Sequence, residues 1–303
     1  MNILITGATG LLGRALIDTK KPSHKVAGVY LGKYGMANGP DITYYPADVQ
    51  DRGALEAVFL AKKIDAVIHT AGAADVDFCE RHYDLAYRSN VLGTKNIVEL
   101  CEKAKAKLVY ISTNAVFDGE HAPYGENDKV NPINKYGAMK LDCEIMVKKA
   151  LEDNIIVRPI LMYGWNHEGE RKNLVTALID SLGSGKDVNM VVDVYDNPLC
   201  AYNCAEAIWS LLEMDKKGTY HIAGRDIVSR YDYALLIADV FGLDARLIKP
   251  VDSSFFPNIA PRPKNTSYRT EKIESEIGFV SLGLREGLLS MKAMRKERCG
   301  KGA

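Results

Sequence analysis

The side chains best equipped for chemistry in this sequence are Tyr136 and Lys140, set one helical turn apart in the stretch NKYGAMKLDCE. If residues 134–149 are helical, the two share a face. A phenol has an ordinary pKa near 10, and bringing it to about 7 takes roughly 3 units, or about 4 kcal/mol. A neighbouring ammonium supplies part of that by favouring the phenolate. Thr113, in the run YISTNAVFDG, is the candidate partner that hydrogen-bonds the oxygen receiving the tyrosine's proton. A Tyr-x-x-x-Lys pair is common on helix surfaces, so its meaning rests on what precedes it.

What precedes it is a turn suited to an anion. Residues 1–5, MNILI, are a short apolar run that breaks into TGATGLLG, where Gly7, Gly10 and Gly13 stand three apart before an apolar helical stretch at 11–17. Strand, glycine turn and helix in that order aim backbone N–H groups and a helix N-terminus at one point, as a pyrophosphate requires. Gly7 permits the tight turn, Gly10 lets phosphates approach the backbone, and Gly13 lets the helix pack closely on the sheet. Thr9, Leu11 and Leu12 complete this cofactor-binding turn. The positive nicotinamide of the oxidised cofactor would add to Lys140 in favouring the phenolate. In the direction of reduction, hydride would pass from the C4 of the reduced nicotinamide to a ketone carbon while the protonated Tyr136 gives the oxygen its proton and Lys140 binds the nicotinamide ribose.

Further elements must bring these residues together. Strands are expected at 25–30, 42–45, 66–69, 108–112 and 155–159, and helices at 51–62, 81–105 and 134–149. Such alternation predicts an α/β NAD(P)-binding Rossmann fold, a doubly wound parallel sheet whose ligands lie beyond the strands' carboxyl ends. The segments 7–13, 70–72 and 112–116 all fall on that edge. Tyr30 ends the second strand, and Lys33 follows where NAD-selective folds place an acidic residue, which favours NADP over NAD. Asp48 and Val49 follow the third strand, Asp48 reading equally as an adenine contact or a helix-capping residue. Thr70, Ala71 and Gly72 are small enough for a cofactor to lie against, and Ser112 adjoins Thr113. Asn90 interrupts an apolar-periodic stretch, while His69 at a strand end reads as a satisfied structural residue.

The second half is more irregular. It predicts helices at 174–182, 204–213 and 229–241, strands at 188–192 and 219–222, a proline-rich loop at 250–263 and a fraying end from 295. The domain reading is a dinucleotide-binding domain at 1–160 and a smaller mixed α/β substrate lobe at 161–303, with about 200–225 returning to the first domain.

Composition narrows the partners. Lys plus Arg equals Asp plus Glu at 39 each, leaving no net field for nucleic acid or an anionic membrane and pointing to a small molecule. No apolar run approaches the roughly 18–20 residues that span a bilayer, and no basic leader precedes the first strand, so a cytoplasmic protein is expected. Cys79, Cys101, Cys143, Cys200, Cys204 and Cys299 lack Cys-x-x-Cys pairing and read as reduced thiols, with no metal site expected.

The ordered set TGATGLLG (6–13), VDFCE (76–80), NVLGTKNI (90–97), YISTNAVFDG (110–119), PYGENDKVNPINKYGAMKLDCE (123–144) and VRPILMYG (157–164) resembles the extended short-chain dehydrogenases, and within them the dTDP-4-dehydrorhamnose reductase family. NLVTALI (173–179), APRPKNTSY (260–268) and KIESEIGF (272–279) extend the resemblance nearly end to end. It implies reduction of a 4-keto nucleotide sugar by NAD(P)H, with Thr113, Tyr136 and Lys140 as the catalytic set. It also implies cofactor contacts or supports at the Gly7 turn, Asp48, Val49, Ala71 and Asn90, and substrate contacts at Ala74, Asn114, Ala115, Asn173 and Arg262. Aromatic residues common in the family are missing at Ala73, Ala115 and Leu161, so the pocket suits a different or larger substrate. Epimerases of the superfamily use the same tyrosine and lysine, whereas Asn114-Ala115 in place of an Asp-Glu pair argues against a dehydratase. The beta subunit of methionine adenosyltransferase, a regulatory nucleotide binder, resembles the same family. By resemblance too, helices around 86–104 and 136–149 would pair two chains into a homodimer.

Overall fold

The opening apolar run becomes β1 (Asn2–Thr6), whose Ile3, Leu4 and Ile5 are completely buried. The computed structural model describes residues 1–32, 36–166, 171–256 and 260–300, so Lys33 lies outside the described residues. After β1 come α1 (Leu11–Thr19), β2 (Lys25–Tyr30), β3 (Ile42–Pro46), α2 (Arg52–Ala61) and β4 (Ala66–His69). Then follow α3 (Val76–Arg81), α4 (Tyr83–Tyr87), a π turn (Arg88–Leu92), α5 (Gly93–Ala104), β5 (Lys107–Ile111), α6 (Lys135–Ala150) and β6 (Asn154–Pro159). The second half holds β7 (Met162–Tyr163), α7 (Leu174–Gly183), β8 (Val188–Val191), β9 (Tyr195–Asp196), β10 (Leu199–Cys200), α8 (Ala201–Glu213) and β11 (Gly218–Ile222). It closes with β12 (Val228–Ser229), α9 (Arg230–Phe241), β13 (Ile248–Val251), α10 (Glu271–Ile277) and α11 (Leu284–Gly300).

Among the described residues, seven strands form one sheet in the order β11-β6-β5-β4-β1-β2-β3, every pairing parallel. The strand order reverses at β1, which pairs with β2 on one side and β4 on the other, so a crevice opens at the carboxyl ends of β1 and β4. Both faces are covered, which is why the strands read as nearly continuous apolar runs. Ile3 and Ile5 share a core with Leu16 of α1 and Ile208 and Leu212 of α8. Leu4 joins the opposite core, with Leu55 of α2, Ile97 of α5 and Cys143 and Val147 of α6. A third core, built from α7, α9 and α11 through Leu178, Ile237 and Leu288, holds the C-terminal lobe together. The chain leaves the sheet after β6 and returns to it as β11, which pairs with β6 itself.

The structure departs from the sequence reading at several elements. The helix expected at 81–105 begins earlier, at Val76, is interrupted at His82, and passes through the π turn before α5. That turn lies where Asn90 faces inward, so a polar residue in an apolar face marks a change of helical geometry. Helix α8 starts at Ala201, a turn ahead of expectation, while α10 and α11 were not anticipated. Helix α11, anchored by buried Leu288 and Met291, runs to Gly300, and the remainder of the end expected to fray, 301–303, lies outside the described residues. Among the described residues, no helix is long and apolar enough to cross a membrane.

Candidate active site

The first turn is built by backbone conformation. Gly7 has φ +66°, in the left-handed region, and a Cβ there would lie 2.6 Å from Thr70 Oγ1 and 2.9 Å from Ala71 N. At Gly13 a Cβ would collide with the Gly7 carbonyl, so α1 rests directly on the turn. Around Gly10, by contrast, a Cβ would meet only the Gly7 oxygen, at 3.4 Å, and Gly10 caps α1 without any side-chain bond to its N–H groups. An open approach beside the unpartnered amides of a helix N-terminus is the arrangement a pyrophosphate needs, so these residues fit a dinucleotide. Thr9 gives its carbonyl to Arg14, Leu12 is buried, and half-buried Leu11 lies under Gly164 of the second half.

The neighbouring loops are braced from behind. Thr70 donates to the Thr6 carbonyl at 2.6 Å, and Thr6 Oγ1 accepts from Ala71 N. Asn90 clasps the loop after β4, its oxygen accepting from Ala73 N at 2.7 Å and its amide donating to Ala73 O at 3.0 Å. A Cβ on Gly72 would crowd that same oxygen, so Asn90 supports the cofactor edge from beneath. His69 bridges Thr6 and Thr94 at 2.6 and 3.0 Å, and burial, reinforced by Lys140, drops its pKa to about 3. Tyr30 is buried edge-on against Tyr44 at the end of β2. Asp48 takes both the backbone and side-chain amides of Gln50, as a turn residue does, and Asp51 rather than Asp48 caps α2. Val49 packs beneath Gly93.

The chemistry gathers where β5 ends and α6 begins. Asn134 caps α6 by accepting from Gly137 N at 2.9 Å, which starts the helix one residue before Tyr136. Thr113 Oγ1 accepts from Ala115 N at 3.1 Å, donates to Asn114 Oδ1, and neighbours the Tyr136 phenol. Lys140 donates to the Ile111 carbonyl at 2.5 Å and sits 4.3 Å over the Tyr110 ring. Burial pushes Tyr136 up to about 12 against the opposing bond from Thr113, and drops Lys140 to about 8. The sequence reading has Lys140 and a bound oxidised nicotinamide together favouring the phenolate; among the protein's own groups, burial dominates at Tyr136. The ammonium is turned to β5, and desolvation outweighs the remaining charges on the phenol.

The other sequence candidates divide by what their polar atoms do. Ser112 donates to Glu144 at 2.6 Å and gives its N–H to Val157, so both groups are spent inside the protein. Asn114 stays at the edge and donates to Thr266 at 2.6 Å, while Ala115 is buried against Gly137 and Ala74 is exposed. Asn173 caps α7 through its oxygen and donates its amide to Gly164 O and Asn166 Oδ1. Its side chain is committed to the fold rather than free for a ligand. Arg262 pairs with Asp77 of α3 at 3.0 Å, and Arg171 reaches Asp75 at 3.3 Å, so two loops of the second half close over the edge that holds Tyr136. The Asn134 amide holds the same strap through Pro261 O. Asp75, Asp77, Arg171, Thr266 and Glu144 escaped sequence reading. Glu144 carried a signal, since it repeats the Tyr136, Lys140 spacing once more.

Residues 1–296 match the model of the RmlD substrate binding domain. A crystal structure of a dTDP-4-dehydrorhamnose reductase from Clostridium acetobutylicum aligns with a TM-score of 0.84 at 32% identity, covering 98% of this chain and 100% of that one. The dTDP-4-dehydrorhamnose reductase of Bacillus anthracis in complex with NADP aligns with a TM-score of 0.85 at 28% identity, covering 97% and 99%. Subunit beta of methionine adenosyltransferase 2 from Xenopus laevis is 31% identical over 297 residues, 94% of this chain and 86% of that protein.

Proposed function

This chain belongs to the RmlD substrate-binding-domain family, and we propose that it is an NAD(P)-dependent oxidoreductase reducing a 4-keto nucleotide sugar. The observation that carries the reading is the meeting of Thr113, Tyr136 and Lys140 at the carboxyl edge of the sheet, with β4 standing between β5 and the β1 strand that ends in the Gly7 turn. A dinucleotide whose pyrophosphate sits at that turn would supply the hydride from its reduced nicotinamide. Tyr136 gives the carbonyl oxygen its proton, Thr113 hydrogen-bonds the same oxygen, and Lys140 takes the nicotinamide ribose. A phenol held near 12 is fully protonated at neutral pH, the form that reduction consumes.

NADPH is the preferred cofactor in this reading, supported by the NADP complex of the Bacillus anthracis reductase and by the basic residue Lys33 beyond β2. The nucleotide-sugar diphosphate lies near Arg262, and Ala73, Ala115 and Leu161 leave room around the sugar. Two copies associate through the helices on which Leu85, Leu92 and Ile145 are exposed. A cytoplasmic location fits the free, buried thiols of Cys79, Cys101, Cys143, Cys200 and Cys204.

The test is loss of NADPH absorbance with a panel of 4-keto nucleotide sugars, run beside Tyr136→Phe. Consumption that the substitution abolishes is the expected result. The identity with subunit beta of methionine adenosyltransferase 2 favours a second reading, a regulatory nucleotide binder. Tight cofactor binding with no hydride transfer to any sugar, together with capture of a methionine adenosyltransferase, would replace the first reading with the second.

A further inference from the structure

Helix α6 places Tyr136, Lys140 and Glu144 at successive turns of one face. Glu144 is completely buried, yet it is a carboxylate. Its Oε1 accepts from Ser112 Oγ at 2.6 Å and Arg158 Nε at 2.8 Å, and its Oε2 accepts from Arg158 Nη2 at 2.6 Å. Each partner belongs to a different strand end. Ser112 follows β5 and immediately precedes Thr113, while Arg158 sits in β6, 2% exposed, its other nitrogen on His221 of β11. One carboxylate thus ties the helix bearing Tyr136 and Lys140 to the strand end bearing Thr113.

A buried ion pair is a poor way to add stability, because desolving two charges offsets most of their attraction, and apolar replacements of similar volume are often as stable. What the pair offers instead is direction. A bidentate guanidinium–carboxylate contact fixes both distance and angle, whereas an apolar contact tolerates sliding. We propose that Glu144 is a positioning residue that holds the Tyr136 phenol in register with the Thr113 hydroxyl. This rests on the reductase reading above and deepens it. Proton donation to an oxygen that Thr113 also contacts requires both groups at hydrogen-bond distance from one point, and a displacement of about 1 Å can cost about a hundredfold in rate.

The test uses the double variant Glu144→Met/Arg158→Met, which removes both charges together, and Ser112→Ala, which cuts the link to the strand end alone. Folding is checked by circular dichroism, cofactor affinity by fluorescence titration, and the phenol by NMR of ring-labelled tyrosine, with Tyr136→Phe identifying its resonance. Both variants are expected to fold and bind cofactor as the parent does. The double variant should lose tenfold or more in kcat with KM for the sugar within about twofold, and Ser112→Ala should lose less. In the double variant the Tyr136 resonance should titrate nearer the ordinary value of about 10 than in the parent, because the ring is no longer held in its buried site. A double variant with parental kcat and parental titration of Tyr136 overturns the proposal while leaving the reductase reading intact. If the parent transfers no hydride, the reductase reading fails separately, and the titration alone still decides whether Glu144 holds the phenol in place.

Discussion

Gly137 lies directly beneath Ala115: a Cβ on Gly137 would fall inside contact distance of the Ala115 carbonyl oxygen and within 3.0 Å of Pro132. The first turn of α6 is therefore pressed onto the loop that follows β5, and this closeness brings Tyr136 beside Thr113. Gly137→Ala should push the two apart. The expected cost is about 1–3 kcal/mol of stability, read from the denaturant midpoint, together with a drop in kcat larger than any change in cofactor affinity.

Tyr136→Phe keeps the ring and removes only the proton. Its kcat should fall by about 10²–10⁴-fold while cofactor binding and the unfolding midpoint stay close to the parent's. An equal loss of cofactor affinity would mean that the phenol holds the cofactor rather than the proton.

Arg262 and Asp77 should act in opposite directions. Arg262→Ala removes a rim cation from the path of a diphosphate and should raise KM for the nucleotide sugar about tenfold. Asp77→Asn frees the arginine from its 3.0 Å partner and should lower KM slightly, since a partly exposed pair is worth only about 0.2–1 kcal/mol. Parallel changes in the two variants would show that the pair serves only to dock the strap.

Asn173→Ala should uncap α7 at a cost of about 0.5–2 kcal/mol and leave KM unchanged, because every polar atom of that side chain is used within the protein. A selective rise in KM would restore Asn173 to the substrate site.

Acid should destabilise the protein through two buried histidines. His69 and His221 are both lowered from 6.5 to about 3, chiefly by burial. Between those values the unfolded chain takes up protons that the native state refuses, so stability is complete above about 6.5 and falls as pH drops toward 3. Each histidine contributes at most about 1.4 kcal/mol per pH unit. Urea midpoints measured across that window should show a shallower slope for His69→Gln than for the parent.

The sheet was readable because its strands are apolar on both faces and its turns carry glycine where φ is positive, as at Gly7. The proximity of Tyr136 to Thr113 was readable from their order, since β5 and α6 flank a single loop. What was not readable is which polar atoms face inward. Asn173 and Arg262 both read as substrate contacts, yet Asn173 caps the helix that follows it and Arg262 pairs with Asp77 of α3, a partner far away in sequence that no local pattern announces. The ammonium of Lys140 was expected beside the phenol for the same reason. Helical spacing gives its face, but only the position of the Ile111 carbonyl gives its direction.

The return of the chain to β11 after its excursion beyond β6 has a bearing on synthesis. On the ribosome, the sheet cannot acquire its last strand until residue 222 has emerged, by which point α7 and α8 are already outside. The nascent chain must therefore hold β6 as an open edge, with the Arg158 guanidinium still lacking His221, through the translation of some sixty residues. Release of a chain stalled before residue 218 would leave that edge exposed, and such fragments should be the ones captured by chaperones or by one another.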